Sequence, residues 1–183
     1  MSLRDKWVNA FYKAAIGTGR ARSRLTPLLV TVVSSSIWLL FFVSLKVDRF
    51  LNFPPLPPAP VNIILSVTLI TLGLLLAIWS VIHFHKVKGT PIPSNPPPKL
   101  VTSGPYAHVR NPMHIGFYIV FFGVGILLRS ISTVAIFMPV LILFDTLELK
   151  AIEEPELEKR LGKEYLEYKK KVPMFIPKLR RQT

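Results

Sequence analysis

Long uncharged runs alternate with short basic and proline-rich stretches along this chain. Pro27–Leu45 contains 19 residues without a charge, and Val61–Ile82 contains 22. Because a helix rises about 1.5 Å per residue, either run can cross a hydrocarbon core of about 30 Å. Two further apolar runs, Pro112–Leu128 and Ile131–Phe144, are separated by Arg129-Ser130. The pattern predicts an all-α membrane protein with about four transmembrane helices.

The last two apolar runs are each short for a membrane span. The third apolar run is predicted to form helix three, which begins at Pro112. The fourth run is predicted to form helix four, which is expected to continue past its apolar part to about Glu153. With Arg129 at the far end, the two runs predict a tight helix 3–helix 4 hairpin. Gly123 and Gly125 are expected to let the two helices approach closely, because small residues permit close packing in membranes.

The segments between the apolar runs are rich in proline. Phe53–Pro60 (FPPLPPAP) cannot be helical, because proline lacks a backbone N–H and clashes with the preceding turn, so we predict a stiff external loop. Gly89–Pro98 (GTPIPSNPPP) is typical of a linker. Beyond the hairpin, Pro155 is expected to begin a charged, modestly amphipathic C-terminal helix, and Pro173 to stop it.

These features divide the chain into four parts. Residues 1–26 form a basic cytoplasmic or interfacial N-terminus, and residues 27–88 contain the first two spans. Residues 89–177 contain the linker, a polar loop, the helical hairpin and the C-terminal helix, and residues 178–183 form a basic tail. For the N-terminus two interpretations remain open, an amphipathic helix on an anionic membrane face or a frayed basic tail.

The distribution of charge predicts the topology. Lysine and arginine number six in residues 1–26, four in 86–110 and ten in 150–183, against three in the first loop and at the hairpin tip. By the positive-inside rule this predicts a multi-pass protein with both termini cytoplasmic. The net charge of +13 comes largely from residues that flank apolar runs, which argues against nucleic-acid binding.

The composition and the first residues of the chain argue against several other kinds of site and segment. The chain has no cysteine, which excludes disulfides, thiolate catalysis and cysteine-based metal sites, and we expect no metal centre. The start MSLRDKWVNAFYKAA has no compact apolar core before a small-residue cleavage site, so we expect no cleaved signal peptide.

Polar, cationic and aromatic side chains gather in Lys99–Gly116 (KLVTSGPYAHVRNPMHIG), which ends by starting helix three. Asn111-Pro112 is a strong helix start, since Asn can cap free N–H groups and Pro suits the first helical position. An antiparallel hairpin would bring Asn111 and Glu153 to one membrane face, although they are 42 positions apart. The side chains expected to gather with them are Arg110, His114, Asp145, Glu148 and Glu154.

Such a cluster could bind a charged small molecule. The expected partners are Glu153 or Glu154 for an ammonium group, and Arg110, Asn111 and His114 for a carboxylate. Tyr106 and the apolar Leu100-Val101 could flank a flat ring. An amino-acid head with an aromatic ring describes S-adenosylmethionine (SAM), and it also describes other zwitterionic ligands.

Each of these residues has a purely structural interpretation as well. The alternatives are a structural ion pair for Arg110 with Glu153 or Glu154, a helix cap for Asn111, a membrane-interface anchor for Tyr106, a bundle-facing position for His114 and a helix boundary at Glu154-Pro155. Their expected common location is what favours a binding site.

The order of these motifs resembles a known superfamily. The segment LVTSGPYAHVRNPMHIGF, then Glu153-Glu154, then GKEYLEYKKKVPMFIP is similar to the isoprenylcysteine carboxyl methyltransferase and phospholipid methyltransferase superfamily. Its pattern is G-x-Y, R-H-P-x-Y, two helices, a Glu-Glu pair and a Gly-x-x-Tyr-x-x-Tyr tail, and the resemblance covers roughly residues 89–177. It implies an integral membrane enzyme that binds SAM between a cytoplasmic cofactor loop, the hairpin and the C-terminal segment, with S-adenosylhomocysteine as product.

The resemblance also implies site residues. The positions of the cofactor contacts are Lys99, Leu100, Val101, Tyr106, Asn111, Pro112, Met113, His114 and Glu153, with Arg110 and Glu154 as catalytic residues that hold the site closed or orient substrate. Asn111 stands where the motif has His, and His114 stands where it has Tyr. Leu149 stands where the prenylcysteine enzymes place an Arg that serves the substrate carboxylate.

We therefore predict a SAM-dependent methyltransferase that acts on a lipidic or small hydrophobic substrate, in the manner of the isoprenylcysteine enzymes. The alternatives are a phospholipid amine N-methyltransferase and a non-catalytic membrane scaffold or small transporter. A transporter is disfavoured because the first two spans carry no charge along a mid-membrane path. The expected partners are membrane lipids and the substrate, without nucleic acid. The oligomeric state does not follow from the sequence.

Overall fold

The computed structural model describes residues 2–16, 19–87 and 97–177, and these contain helices and no strand. The helices are α1 (Leu3–Ile16), α2 (Gly19–Phe50), α3 (Val61–Lys86), α4 (Pro112–Leu127), α5 (Met138–Glu148), α6 (Glu154–Leu161) and α7 (Lys163–Lys171). The all-α class is confirmed. Most of the predicted linker Gly89–Pro98 and the basic tail 178–183 lie outside the described residues.

Membrane-crossing potential is strongest in α3. Among the described residues, α3 is the helix long and apolar enough to span a bilayer, and α4 is apolar but shorter. The helix that contains the uncharged run Pro27–Leu45 begins upstream of it, at Gly19. The larger number of four spans stays a prediction.

The backbones of α3 and α4 approach each other closely at glycine residues. A Cβ built on Gly73 would lie 2.6 Å from the carbonyl oxygen of Gly116, and one on Gly123 would lie 2.8 Å from the side chain of Ile70. The predicted helix 3–helix 4 hairpin corresponds to α4 and the arm that contains α5. The expected role of Gly123 in this hairpin is therefore wrong, because Gly123 faces α3. Gly125 does serve the hairpin, since a Cβ there would meet Thr133 at 2.8 Å.

Replacing Gly116 with Ala should loosen this contact. The added Cβ would lie 2.8 Å from the Gly73 carbonyl oxygen and 2.9 Å from the Ala77 nitrogen, and both are backbone atoms. We expect a loss of about 1–3 kcal/mol of stability, as overpacking typically costs. Thermal unfolding in detergent measures it, with Leu127→Ala on the exposed side of α4 as control. An unfolding temperature equal to that of the wild type would contradict this packing.

Hydrogen bonds join the predicted external loop to the hairpin tip. Arg129 adopts a φ of 55°, its Nε donates to the carbonyl of Leu56 at 2.8 Å, and its own carbonyl accepts from the Leu56 N–H at 3.2 Å. At the same end, Asp48 of α2 accepts from the Ser130 hydroxyl and the Ser132 N–H. The loop and the tip thus share one end of the bundle, and the polar cluster around Asn111 lies at the other.

The second arm of the hairpin continues without interruption into α6. Wide π-helical turns at Thr133–Phe137 and Leu149–Glu153 come just before Pro139 and Pro155. The hydrogen bonds of a π-helical turn join residues five apart, and we attribute the continuation of the helix through each proline to this change. Pro155 does stand in the first turn of α6, as predicted, but the backbone before it is already helical, so α6 continues the preceding helix and does not start after a break. The C-terminal helix is instead divided at Gly162, whose φ of 59° favours glycine.

Candidate functional site

A cavity of about 450 Å³ lies where α4 begins. Its walls come from the loop 97–111, the first turn of α4, the acidic side of α5 with the π-helical turn that follows it, and α6 with α7. The apolar run of the second hairpin arm ends at Phe144. The cavity extends from its inner end, beside the end of this run, to the polar surface. This is the location that the hairpin argument predicts.

Most of the predicted site residues line this cavity. They are Lys99, Leu100, Val101, Tyr106, Arg110, Asn111, Met113, His114 and Glu153. The other two lie behind the wall. Pro112 is fully buried as the first residue of α4, and Glu154 is buried against Arg110. The cofactor contacts and catalytic roles of this set stay predictions.

Arg110 holds the site together through the two terminal nitrogens of its guanidinium. Its guanidinium donates to the carbonyls of Lys169 at 3.0 Å and Val172 at 2.9 Å, and it pairs with Glu154. The second oxygen of Glu154 contacts the Lys169 ammonium at 2.7 Å. The Arg110 and Glu154 side chains are only 11% and 8% exposed, so the pair positions the loop against α7, as the structural interpretation of the sequence holds.

The loop is also joined to the C-terminal segment through its backbone. The N–H of Arg110 donates to the carbonyl of Pro173 at 2.8 Å, and that of Asn111 donates to Met174 at 3.2 Å. The predicted side-chain cap from Asn111 is wrong, because α4 begins at Pro112 without a capping hydrogen bond. The Asn111 amide instead lines the cavity.

Carboxylates dominate one wall of the cavity. Glu156 is paired with Arg160 at 2.8 Å, and Arg160 donates to the carbonyl of Pro97 at 2.9 Å, which ties α6 to the start of the loop. Glu153 forms no ion pair with any described residue. Burial raises the pKa of Glu153 to about 8, and the neighbouring carboxyl group of Glu148 adds to the effect. A cationic ligand would stabilise this wall.

Aromatic rings form another part of the cavity lining. Phe84 and Tyr106 meet edge to face with centroids 5.2 Å apart, and the Tyr168 hydroxyl donates to the Tyr106 carbonyl at 2.7 Å. Burial raises the pKa of the phenols of Tyr106, Tyr165 and Tyr168, so these rings stay neutral at physiological pH. Tyr106 is buried and does not act as a membrane-interface anchor.

A separate polar cluster occupies the inner end of the cavity. The Nε2 of His114 lies 3.8 Å from Oδ1 of Asp145, whose other oxygen accepts from the Tyr118 hydroxyl. Asp145 comes eight residues before Glu153, which places it about 12 Å deeper along the helix. His114 therefore faces a carboxylate and the cavity, in addition to facing the bundle.

Several lining residues were missed from the sequence: Phe11, Phe84, Glu156, Leu157, Arg160, Leu161, Tyr165 and Tyr168. Two pairs of these residues could have been recognised from their spacing in the sequence. Glu156 and Arg160 stand four apart, and Tyr165 and Tyr168 three apart, so each pair shares a helix face. No local signal marks Phe84, because it reaches the site only through the packing of α3 against the loop.

Phe11 reaches the cavity because α1 packs on α6. Arg4 donates to the carbonyl of Ala151 at 3.0 Å, and the ammonium of Lys159 lies 4.3 Å from the centroid of the Tyr12 ring. The N-terminal segment is thus a helix over residues 3–16, as one of the two interpretations held. Its contact with an anionic membrane stays a prediction.

Two comparisons with known proteins indicate the family of this chain. A family model described as Phospholipid methyltransferase matches residues 61–164, which include α3, the loop, the hairpin and α6. The Protein-S-isoprenylcysteine O-methyltransferase of Schizosaccharomyces pombe (strain 972) is 40% identical over 78 residues, which cover 43% of this chain and 33% of that protein. The match thus spans about a third of the length of this curated relative.

Proposed function

Because the chain belongs to the phospholipid methyltransferase family, we propose that its cavity binds SAM and that the protein methylates a lipidic or small hydrophobic substrate. The released product is S-adenosylhomocysteine. The observation that carries this proposal is the meeting of Asn111 and Glu153 in one cavity walled by aromatic rings. Membrane association is supported by the family and by the apolar helix α3.

The residues present fit such a ligand. The cavity of about 450 Å³ is within the range of about 300–1,000 Å³ typical of small-molecule sites. Glu153 would accept from the ammonium group, and Asn111 and Lys99 would donate to the carboxylate. Tyr106 with Leu100 and Val101 would flank the adenine ring. Arg110 is occupied by Glu154 and two carbonyls, so its part is to hold the loop in place.

When bound, SAM supplies an electrophilic methyl carbon on a sulfonium. The work of the chain is then to orient substrate and donor and to exclude water. Phe11 of α1 and Phe84 line the cavity, and Phe84 meets Tyr106 edge to face, so both rings would narrow the access of water. We place the termini on the cytoplasmic side, where SAM enters, and expect a lipid to approach from the bilayer between helices.

An amine-bearing lipid is a second candidate substrate, and a specific observation favours it. Leu149 is 1% exposed and packs inside the protein, at the position where the prenylcysteine enzymes carry an Arg. Asp145 and Glu148 line the inner end of the cavity instead. Carboxylates would repel a carboxylate substrate and attract an ammonium group.

Two measurements test the proposed function. Calorimetric titration of the purified protein with SAM should show saturable binding, and SAM should raise its unfolding temperature. Incubation with radiolabelled SAM and a membrane lipid extract should then transfer label to a lipid that mass spectrometry can identify. The absence of any SAM-dependent shift, with no labelled lipid, would favour a non-catalytic scaffold.

A further inference from the structure

We propose that His114 takes a proton from an amine-bearing lipid substrate at the inner end of the cavity, supported by Asp145 and Tyr118. This inference rests on the proposed function and deepens it, because it names the group that prepares the substrate for methylation. It also gives His114 a role on the substrate side, which differs from the cofactor contact implied by its position in the motif.

The geometry of the cluster suits proton transfer. The imidazole Nε2 and the Asp145 carboxylate are 3.8 Å apart, and both side chains are a little over one quarter exposed, toward the cavity that they line. The Tyr118 hydroxyl donates to Asp145 and holds the carboxylate beside the ring. His114 and Tyr118 stand four apart on α4, so they share a helix face. Phe175 packs on Tyr118 with centroids 5.9 Å apart and closes the cluster from the C-terminal side.

The charged groups around His114 favour a cationic substrate. Facing it are Tyr118 from its own helix and Asp145 from α5, and Glu148 lies one turn beyond Asp145. The basic side chains of the cavity lie toward its outer end, where Arg110 and Arg160 are already paired. A lipid ammonium group is therefore attracted to the inner end, and the Asp145 carboxylate would stabilise the imidazolium that forms after proton transfer.

The chemistry balances without a further reagent. One N–H bond of the substrate ammonium breaks, a new N–H bond forms at Nε2 of His114, and the electron pair stays on the substrate nitrogen as the nucleophile. The methyl donor supplies the carbon that this pair attacks. The imidazolium later returns its proton to water, so each turnover releases one proton.

The first test measures substrate binding without a methyl donor. A short-chain phospholipid with a primary-amine headgroup is titrated into the wild type, Asp145→Asn and His108→Gln, a control at an exposed histidine outside the cavity. We expect Asp145→Asn to weaken binding about tenfold or more, as the loss of a charge-assisted contact does. His108→Gln should bind like the wild type. Equal binding by Asp145→Asn and wild type would overturn the ammonium site.

The second test separates a base from a cofactor contact. For His114→Gln we expect kcat at pH 7 to fall about 100-fold, with the KM for lipid and the Kd for SAM within about twofold of the wild type. The loss should shrink near pH 9.5, where more of the lipid amine is already neutral. Tyr118→Phe should cause a smaller loss with the same pH dependence, and it serves as the second variant if His114→Gln unfolds.

Three outcomes would overturn the inference while leaving the proposed function intact. They are a loss of activity in His114→Gln that is equal at every pH, a weakened SAM Kd that accounts for the whole loss, and methylation of S-farnesylcysteine but not of the amine lipid. Failure of the wild-type protein to bind SAM would instead contradict the proposed function itself.

Discussion

Replacing Glu153 with Gln should weaken SAM binding about tenfold or more at pH 8, because a charge-assisted hydrogen bond to the ammonium group is lost. The same change should remove most of the pH dependence of binding. The pKa of Glu153 is raised to about 8, so in the free protein its carboxyl group is largely protonated at pH 6. A cationic ligand requires the carboxylate, and its binding must therefore release that proton.

Calorimetry between pH 6 and 7.5 measures this coupling. Below the raised pKa, the affinity of the wild type should increase about tenfold for each pH unit, whereas that of Glu153→Gln should be nearly flat. The difference between the two proteins should consequently be small at pH 6. Glu164→Gln, at an exposed carboxyl group of α7 outside the cavity, is the matched control. Equal affinities of the wild type and Glu153→Gln at pH 8 would remove Glu153 from the site.

The raised pKa also has a consequence for stability without ligand. The folded protein holds the Glu153 proton more tightly than the unfolded chain does, so wild-type stability should fall as pH rises from about 4.5 to about 8. Glu153→Gln lacks this titration. It should therefore be more stable than the wild type at pH 9 and closer to it at pH 5, as thermal unfolding would show.

Replacing Arg110 with Gln should destabilise the protein by about 3 kcal/mol, at the lower end of the range of about 3–5 kcal/mol for breaking a buried ion pair. The change removes the partner of Glu154 and the donor to the carbonyls of Lys169 and Val172. The lower end applies because the Lys169 ammonium still contacts Glu154 at 2.7 Å. SAM binding should weaken as well, since the loop would lose its attachment to α7.

An exposed ion pair provides the control for Arg110. Lys170 and Glu167 contact each other at 2.8 Å on the surface of α7, with side chains 71% and 58% exposed. Lys170→Gln should change stability by less than about 1 kcal/mol, as exposed pairs do. Denaturant or thermal unfolding of both variants measures the contrast. If Arg110→Gln were no less stable than Lys170→Gln, the pair with Glu154 would not hold the loop.

The sequence predicted those features of the fold that depend on local pattern. The start of α4 at Pro112 follows from the Asn-Pro signal, and the turn at Arg129 follows from the break between two apolar runs. The meeting of Asn111 and Glu153 required one further step, an antiparallel return of the chain. The predicted antiparallel return is correct because two apolar helices joined by a short connection have few other ways to pack.

The features that the sequence did not predict depend on tertiary contacts. The close pairing of α3 with α4 relies on Gly73 and Gly116, which come from different helices and form no motif together. The continuity of the helix through Pro155 depends on a π-helical turn, which proline-based rules do not anticipate. Asn111 was expected to cap α4 with its side chain, but its backbone N–H instead donates to Met174, 63 residues away in the sequence.

The backbone bonds from Arg110 and Asn111 to Pro173 and Met174 set an order for assembly during synthesis. A nascent chain can place α3, α4 and α5 before residues 173 and 174 have left the ribosome, yet the wall formed by α7 is then still missing. We expect a stalled ribosome complex that exposes residues only to about 160 to integrate its helices without acquiring ligand affinity. In this protein, maturation of the pocket would therefore follow helix insertion as a distinct, later event.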